Sequence, residues 1–211
     1  MDLIVRAVDV GSGNTKFVTS VVSSPSGADI RCVSFPSVAY PSSDGLPSWP
    51  SGDRRKTTFI PIGALFYEVG PEVALAADTF RAKQLHDEYT ESPEYMALLR
   101  GALGMMKLSH IDLLVVGLPV ALFAVKKAAL EKAMTGKHDV GDGKTVTVAK
   151  ALAVAQPQGA LVHYASVHQK MAEIGKEQSL IIDPGSRTFD WLVARGMRLV
   201  QNKSHSVNRG A

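Results

Sequence analysis

Two short strings combine acids, glycines and hydroxyls at a spacing suited to holding phosphate and a divalent cation. The first is Asp9-Val10-Gly11-Ser12-Gly13-Asn14-Thr15-Lys16. Gly11 and Gly13 let the backbone turn tightly and bring its N–H groups close to an anion, and Ser12 and Asn14 add side-chain donors. Lys16 is a point charge suited to phosphate oxygens, while Asp9, at the end of an apolar strand, is placed to hold Mg2+ through water. The string is not a Walker A loop, whose Lys-Ser/Thr opens a helix, because Lys16 falls within a strand. The second string, Asp183-Pro184-Gly185-Ser186-Arg187-Thr188-Phe189-Asp190, repeats the grammar: apolar strand, Asp, Gly, small polar residue, and a strand resuming at Thr188. Either string alone also fits a β-turn that binds nothing. Their recurrence, about one domain length apart, points to phosphates approached from two sides.

The elements that position these strings follow from periodicity. Leu3 to Val8 and Thr15 to Val22 read as strands around the first glycine turn, and Ile30 to Phe35 as a third. No helical pattern separates the three, so an antiparallel opening sheet is expected. Residues 36 to 58 are rich in Pro, Gly and Ser and read as an excursion from the core, with Trp49 as a loop-packing residue. Thr58 to Val69 reads as a hairpin around Ile62-Gly63. Ser92-Pro93-Glu94 combines N-cap, first-turn proline and first-turn acid, which predicts a helix from Pro93 to about Lys107. Ile111 to Leu118 reads as a buried strand. A helix follows, with Leu122, Val125, Ala129 and Ala133 on its apolar face. Gly141-Asp142-Gly143 is a turn before strand residues Thr145 to Val148. Gln156-Pro157-Gln158-Gly159 reads as a connector into a helix from about Ala160 to Ile174, and Leu180-Ile181-Ile182 leads into the second string.

Composition removes several function classes. The chain has 211 residues and a formal net charge of +3, with no basic cluster concentrating that excess, so direct nucleic-acid binding is not expected. The one cysteine, Cys32, excludes an internal disulfide and a cysteine zinc site, and a reducing compartment is the simpler reading. The start lacks the basic region and cleavage site of a signal peptide. The apolar run from Leu113 to Val125 contains Gly117 and Pro119, so neither export nor a membrane span is expected and the location reads as cytoplasmic. His163 and His168 do not share a helical face and read as ordinary helix residues, and Met96, Met105 and Met106 read as core filling. No Gly-x-Ser-x-Gly elbow supports a hydrolase triad.

The pair of strings resembles the actin-like ATPase superfamily, in which two ribonuclease-H-like domains each offer a β-hairpin to the nucleotide phosphates. Asp9, Gly11, Ser12, Gly13 and Lys16 match the Asp-x-Gly-Ser-Gly-x-x-Lys spacing of actin, and Asp183-Pro184-Gly185 resembles the second phosphate hairpin. Gln158, six before Tyr164-Ala165, is similar in position to the residue that orients the attacking water. Within the superfamily the chain is most similar to the bacterial and plasmid-segregation type. The strings that carry this are Tyr67-Glu68-Val69-Gly70, Val116-Gly117-Leu118-Pro119-Val120, Lys137-His138-Asp139-Val140 and Asp183 through Phe189-Asp190-Trp191.

This resemblance implies an α/β fold: a ribonuclease-H-like, actin-type ATPase domain with a mixed sheet over residues 1–152, carrying a loop-rich insertion at about 36–85. Residues 153–211 are then the linking helix and the beginning of a second such domain. The cofactors implied are ATP and Mg2+. Asp9, Gly11, Ser12, Gly13, Asn14, Lys16, Gly185, Ser186 and Thr188 would contact phosphate, Asp9 and Asp183 the metal shell, with Gln158 and Asp183 catalytic. Filament formation by self-association and a DNA-binding adaptor are the partners implied. Two departures stand out. Pro184 removes a backbone N–H beside Asp183, and nothing after Asp190 resembles the family's adenosine motif, so an N-terminal portion is expected. A small-molecule kinase of the same fold and a non-catalytic assembly module remain as rival readings.

Overall fold

The computed structural model describes residues 3–24, 27–43, 55–76, 89–185 and 188–208; Trp49, His86, Asp87, Ser186 and Arg187 lie outside them. The chain divides into two compact units. One comprises Met1–Leu114 with Met134–Ala151, the other Val115–Ala133 with Leu152–Ala211.

The first unit begins with β1 (Val5–Val10), β2 (Asn14–Ser24) and β3 (Gly27–Pro36), joined as an antiparallel meander as the sequence predicts. A register shift between Val18 and Ser20 marks a bulge in β2. The hairpin expected over Thr58 to Val69 is present as β5 (Thr58–Ile62) and β6 (Leu65–Val69), numbered after a short strand that the loop segment adds, β4 (Tyr40–Ser42), and the three form a small antiparallel sheet in the order β4-β6-β5. The β5–β6 turn needs Gly63, whose φ is +63°. Three residues are too few to show a period in a proline-rich string, so β4 left no signal.

Helix α1 (Pro93–Met105) starts as predicted. The Ser92 hydroxyl accepts from the Tyr95 N–H at 3.2 Å, with proline in the first turn. It packs on β1, β2, β5 and β6 through Tyr95, Leu98, Leu99, Ala102 and Leu103. Gly101 is required there, since a Cβ would stand 2.6 Å from the Val69 Cγ2. Strand β7 (His110–Leu118) follows, then α2 (Val120–Met134), β8 (Gly136–Asp139) and β9 (Thr145–Ala155). The large sheet is mixed and runs β3-β2-β1-β7-β9-β8, so β1 sits between two neighbours.

Two expectations need correction here. On α2 the named apolar face is the exposed one: Val125 is 76% exposed, whereas Val120, Leu130 and Met134 are buried. The helix is apolar nearly all round, so periodicity alone does not pick its buried side. Strand β9 continues through Ala155 rather than stopping near Val148, because Ala151, Ala153 and Ala155 recur at the strand period on its buried face, with Leu152 and Val154 half-buried between them, despite alanine's helical propensity.

The second unit holds α3 (Gln156–Val167), α4 (Met171–Ile174), β10 (Gln178–Pro184), β11 (Thr188–Arg195), β12 (Arg198–Leu199) and β13 (His205–Asn208). β11 pairs with β10, β12 and β13, and β10 lies at the sheet edge among the described residues. α3 packs on β10 and β11, and the core gathers Val120, Ala155, Leu161, Ala165, Ile174, Leu192 and Ala194. The expected single helix to Ile174 is broken after Val167, where Gln169 takes a φ of +55°. Gln156-Pro157-Gln158-Gly159 is the first turn of α3, not a connector, since a proline in that turn costs no helical hydrogen bond.

Candidate phosphate-binding hairpins

The two strings fold into hairpins of one plan. In the first, β1 and β2 pair Val8 with Phe17, Asp9 with Lys16 and Val10 with Thr15, leaving residues 11–14 as the turn. In the second, β10 and β11 pair Ile182 with Trp191, Asp183 with Asp190 and Pro184 with Phe189, leaving residues 185–188. Each turn opens on a glycine held close to the carbonyl three residues on. A Cβ on Gly11 would stand 3.1 Å from the Asn14 oxygen, and one on Gly185 would stand 3.0 Å from the Thr188 oxygen. Any side chain at those positions crowds backbone, which is why the turn is glycine in both.

The first hairpin divides its residues by side. Val8, Val10, Thr15 and Phe17 are buried, while Gly13, Asn14 and Lys16 are exposed, as strand alternation requires. The turn's polar groups therefore face outward, with Ser12 and Asp9 half-buried. One amide expected to reach an anion is engaged internally: the Gly11 N–H donates to the Asn14 oxygen at 3.1 Å and closes the turn. Two residues outside the string bear on it. The Ser37 N–H donates to the Gly13 oxygen at 2.9 Å, and the Ser37 and Thr15 hydroxyls bond each other at 2.9 Å. Tyr95, near the start of α1, is buried, and burial first and then the Asp9 carboxylate push its phenol well above the ordinary tyrosine range. Ser37 and Tyr95 belong to no phosphate motif. The only sequence signals were the helix cap before Tyr95 and the end of β3 before Ser37.

In the second hairpin Asp183 and Pro184 are exposed and Gly185 and Thr188 half-buried. The Thr188 hydroxyl donates to the Asp190 Oδ2 at 2.6 Å. Asp190 is 4% exposed, and its Oδ1 is buried without a hydrogen-bond partner. Asp190 thus carries a carboxylate directly across the strands from Asp183, where the first hairpin has Lys16 across from Asp9. Gln158, in the first turn of α3, donates its Nε2 to the Met197 oxygen at 2.8 Å. That bond uses an amide N–H, so the Gln158 amide oxygen can act only as an acceptor.

The residues of the first hairpin fit a polyphosphate with its cation. The turn is a cradle that a Cβ at Gly11 would crowd, one lysine is exposed at its side, and one acid closes the strand before it. Among the described residues no group of three or more His, Cys, Asp or Glu could hold a metal ion.

A family model described as actin-like proteins N-terminal domain matches residues 7–159. No curated protein matches the chain by sequence. Among solved structures, the apo ParM protein of pSK41 superposes with a TM-score of 0.71 at 17% identity, covering all of this chain and 67% of its own. The filament structure of AlfA from the Bacillus subtilis plasmid pLS32 gives 0.64 at 19% identity, over 98% of this chain and 72% of that one. Ta0583, an archaeal actin homologue, gives 0.65 at 23% identity, over 99% of this chain and 62% of that one. Together with the paired hairpins and the mixed sheet that carries the first of them, the family match shows that the chain belongs to the actin-like proteins, with their N-terminal domain over residues 7–159.

Proposed function

We propose that this chain binds ATP with Mg2+ and belongs to a filament-forming actin-like ATPase of the plasmid or DNA segregation type, acting in the cytoplasm. The observation that carries this reading is the repetition of one hairpin plan, with acid, glycine turn and returning strand in the same register, in two separate units of the chain. In domain terms, residues 1–152 would form the first ribonuclease-H-like domain, and residues 153–211 the linking helix and opening hairpin of the second. No helix among the described residues is long and apolar enough to cross a membrane. Self-association follows from likeness to AlfA, whose structure is that of a filament. A DNA-binding adaptor would be its second partner.

Bound ATP would supply a terminal phosphoryl group for in-line transfer to water, a reaction governed by positioning and charge stabilisation. On this reading the Ser12, Gly13 and Asn14 tip and Lys16 bind phosphate oxygens. Asp9 and Asp183 orient the hydration shell of the cation, and Gly185 and Thr188 line the second turn. Gln158 positions the water through its amide oxygen. An amide is too weak a base to deprotonate that water, so its part is orientation.

The test is phosphate release and sedimentation with ATP and Mg2+, comparing the parent protein with Asp183→Ala. The reading expects release and pelleting by the parent, and hydrolysis reduced at least tenfold in the variant, on the scale of losing one charge-assisted contact. Undiminished hydrolysis in the variant would remove Asp183 from its role.

A further inference from the structure

The first hairpin is held by an interaction that the second lacks. Thr15 occupies the first paired position after the turn and is 0% exposed; Ser37, just beyond the end of β3, is 1% exposed. Their hydroxyls bond at 2.9 Å, and the Ser37 N–H also bonds the Gly13 oxygen at 2.9 Å. Ser37 therefore grips the turn at two points, one on its tip and one on its returning strand. In the second hairpin the residue in Thr15's register position is Phe189, paired with Pro184 as Thr15 is with Val10. Phenylalanine has no hydroxyl to make such a bond.

We propose that Thr15 and Ser37 are positioning residues for phosphate binding: their buried hydroxyl pair sets the rotation of the returning strand, and so the outward aim of Asn14 and Lys16. Strand alternation supplies the link. Thr15 faces the core and its neighbours on both sides face out, so whatever fixes Thr15 fixes the direction of the lysine next to it. The pair is buried and mutually satisfied, so its geometry is specific: moving either hydroxyl leaves the other an unpaired buried group. The Ser37 N–H bond to Gly13 fixes the tip over the same anchor. This role rests on the proposed nucleotide binding.

The experiment measures affinity for Mg-ATP and for adenosine in the parent chain and in Thr15→Val, Thr15→Ser, Ser37→Ala, Thr15→Val/Ser37→Ala and Lys16→Ala. Amide hydrogen exchange of residues 11–16 is followed alongside. The expected result is a five- to tenfold fall in the ATP-to-adenosine affinity ratio for Thr15→Val and for Ser37→Ala, on the order of one lost hydrogen bond. The ratio is kept in Thr15→Ser, and the double variant is no worse than either single one. Exchange at the tip should accelerate in the same variants that lose the ratio. A purely structural pair would lower thermal stability and leave the ratio unchanged, which overturns the proposal. If the parent binds ATP and Lys16→Ala weakens it while Thr15→Val does not, only the positioning role fails. If the parent binds no ATP, the nucleotide reading fails and the role falls with it.

Discussion

Asp9 faces Lys16 across the first hairpin, and Asp183 faces Asp190 across the second. The backbone plan is shared, yet one turn places opposite charges side by side and the other like charges, the less favourable cross-strand arrangement. Their support differs in the same sense. β1 is an inner strand between β2 and β7, and the residues flanking its aspartate, Val8 and Val10, are buried. β10 is an edge strand among the described residues, with Leu180 61% and Ile182 55% exposed. The first hairpin is thus a rigid fixture within its own unit, while the second draws less of its stability from the residues around it. A turn plan can be repeated in a chain without its energetics being repeated.

The largest expected divergence comes from truncating matched core positions. Phe17 is paired with Val8 as Trp191 is with Ile182, and Phe17 also meets the Phe35 ring edge-on at 6.0 Å. Phe17→Ala should cost about 3–5 kcal/mol, whereas Trp191→Ala, at the matching register position but only half-buried, should cost about 1–2 kcal/mol. Denaturant titration of each variant checks this, and equal losses would erase the contrast in support.

Next in size are the glycines. Gly11→Ala and Gly185→Ala each force a Cβ against a backbone carbonyl and should each destabilise by about 1–3 kcal/mol, the range for overpacking. Similar values in the two variants would sharpen the claim of a shared plan. A neutral result at either position would break it. Smaller again, and opposite in sign, are the neutralised acids. Asp9→Asn removes the attraction to Lys16 and should destabilise the chain, while Asp183→Asn relieves the repulsion from Asp190 and should stabilise it by about 0.2–1 kcal/mol. Thermal melts at low ionic strength resolve the signs.

The smallest effect is in pH. His138, buried in the first unit, donates its Nε2–H to the Met134 oxygen at 2.9 Å, and burial pushes its pKa below 6.5, with the Arg100 charge acting in the same direction. The folded chain holds this ring neutral while the unfolded chain protonates it. Stability is therefore full above about pH 6.5 and falls as pH drops below that value. Hydrogen exchange of the first unit's amides should accelerate between about pH 6.5 and 5 beyond the intrinsic change, and His138→Gln should flatten that dependence.

Both hairpins were legible in the sequence because acid, glycine and small polar residue lie close together along the chain and need only local turn chemistry. The Ser92 cap, the β7 run and the first three strands were legible for the same reason. What escaped depends on contacts remote in sequence. Nothing in residues 36–43 announces that Ser37 grips Gly13, since the two are joined only once β2 and β3 have paired. The buried side of α2 is chosen by packing rather than by its pattern. Asp190 reads as an ordinary strand residue until the register sets it across from Asp183. The first turn of α3 looked like a linker because proline and glycine there carry the same letters as a loop, although a helix tolerates proline where its amide has no partner.

The proposed reading, in which Asp9 and Asp183 both act on bound nucleotide, is tested most directly by calorimetric titration of Mg-ATP into the parent chain and into Asp9→Ala, Asp183→Ala and the combined variant. The account predicts saturable binding by the parent, at least about a tenfold loss in each single variant, and a combined loss that departs from the product of the two because they share one ligand. Binding that survives both substitutions unchanged, or its absence in the parent, would contradict it.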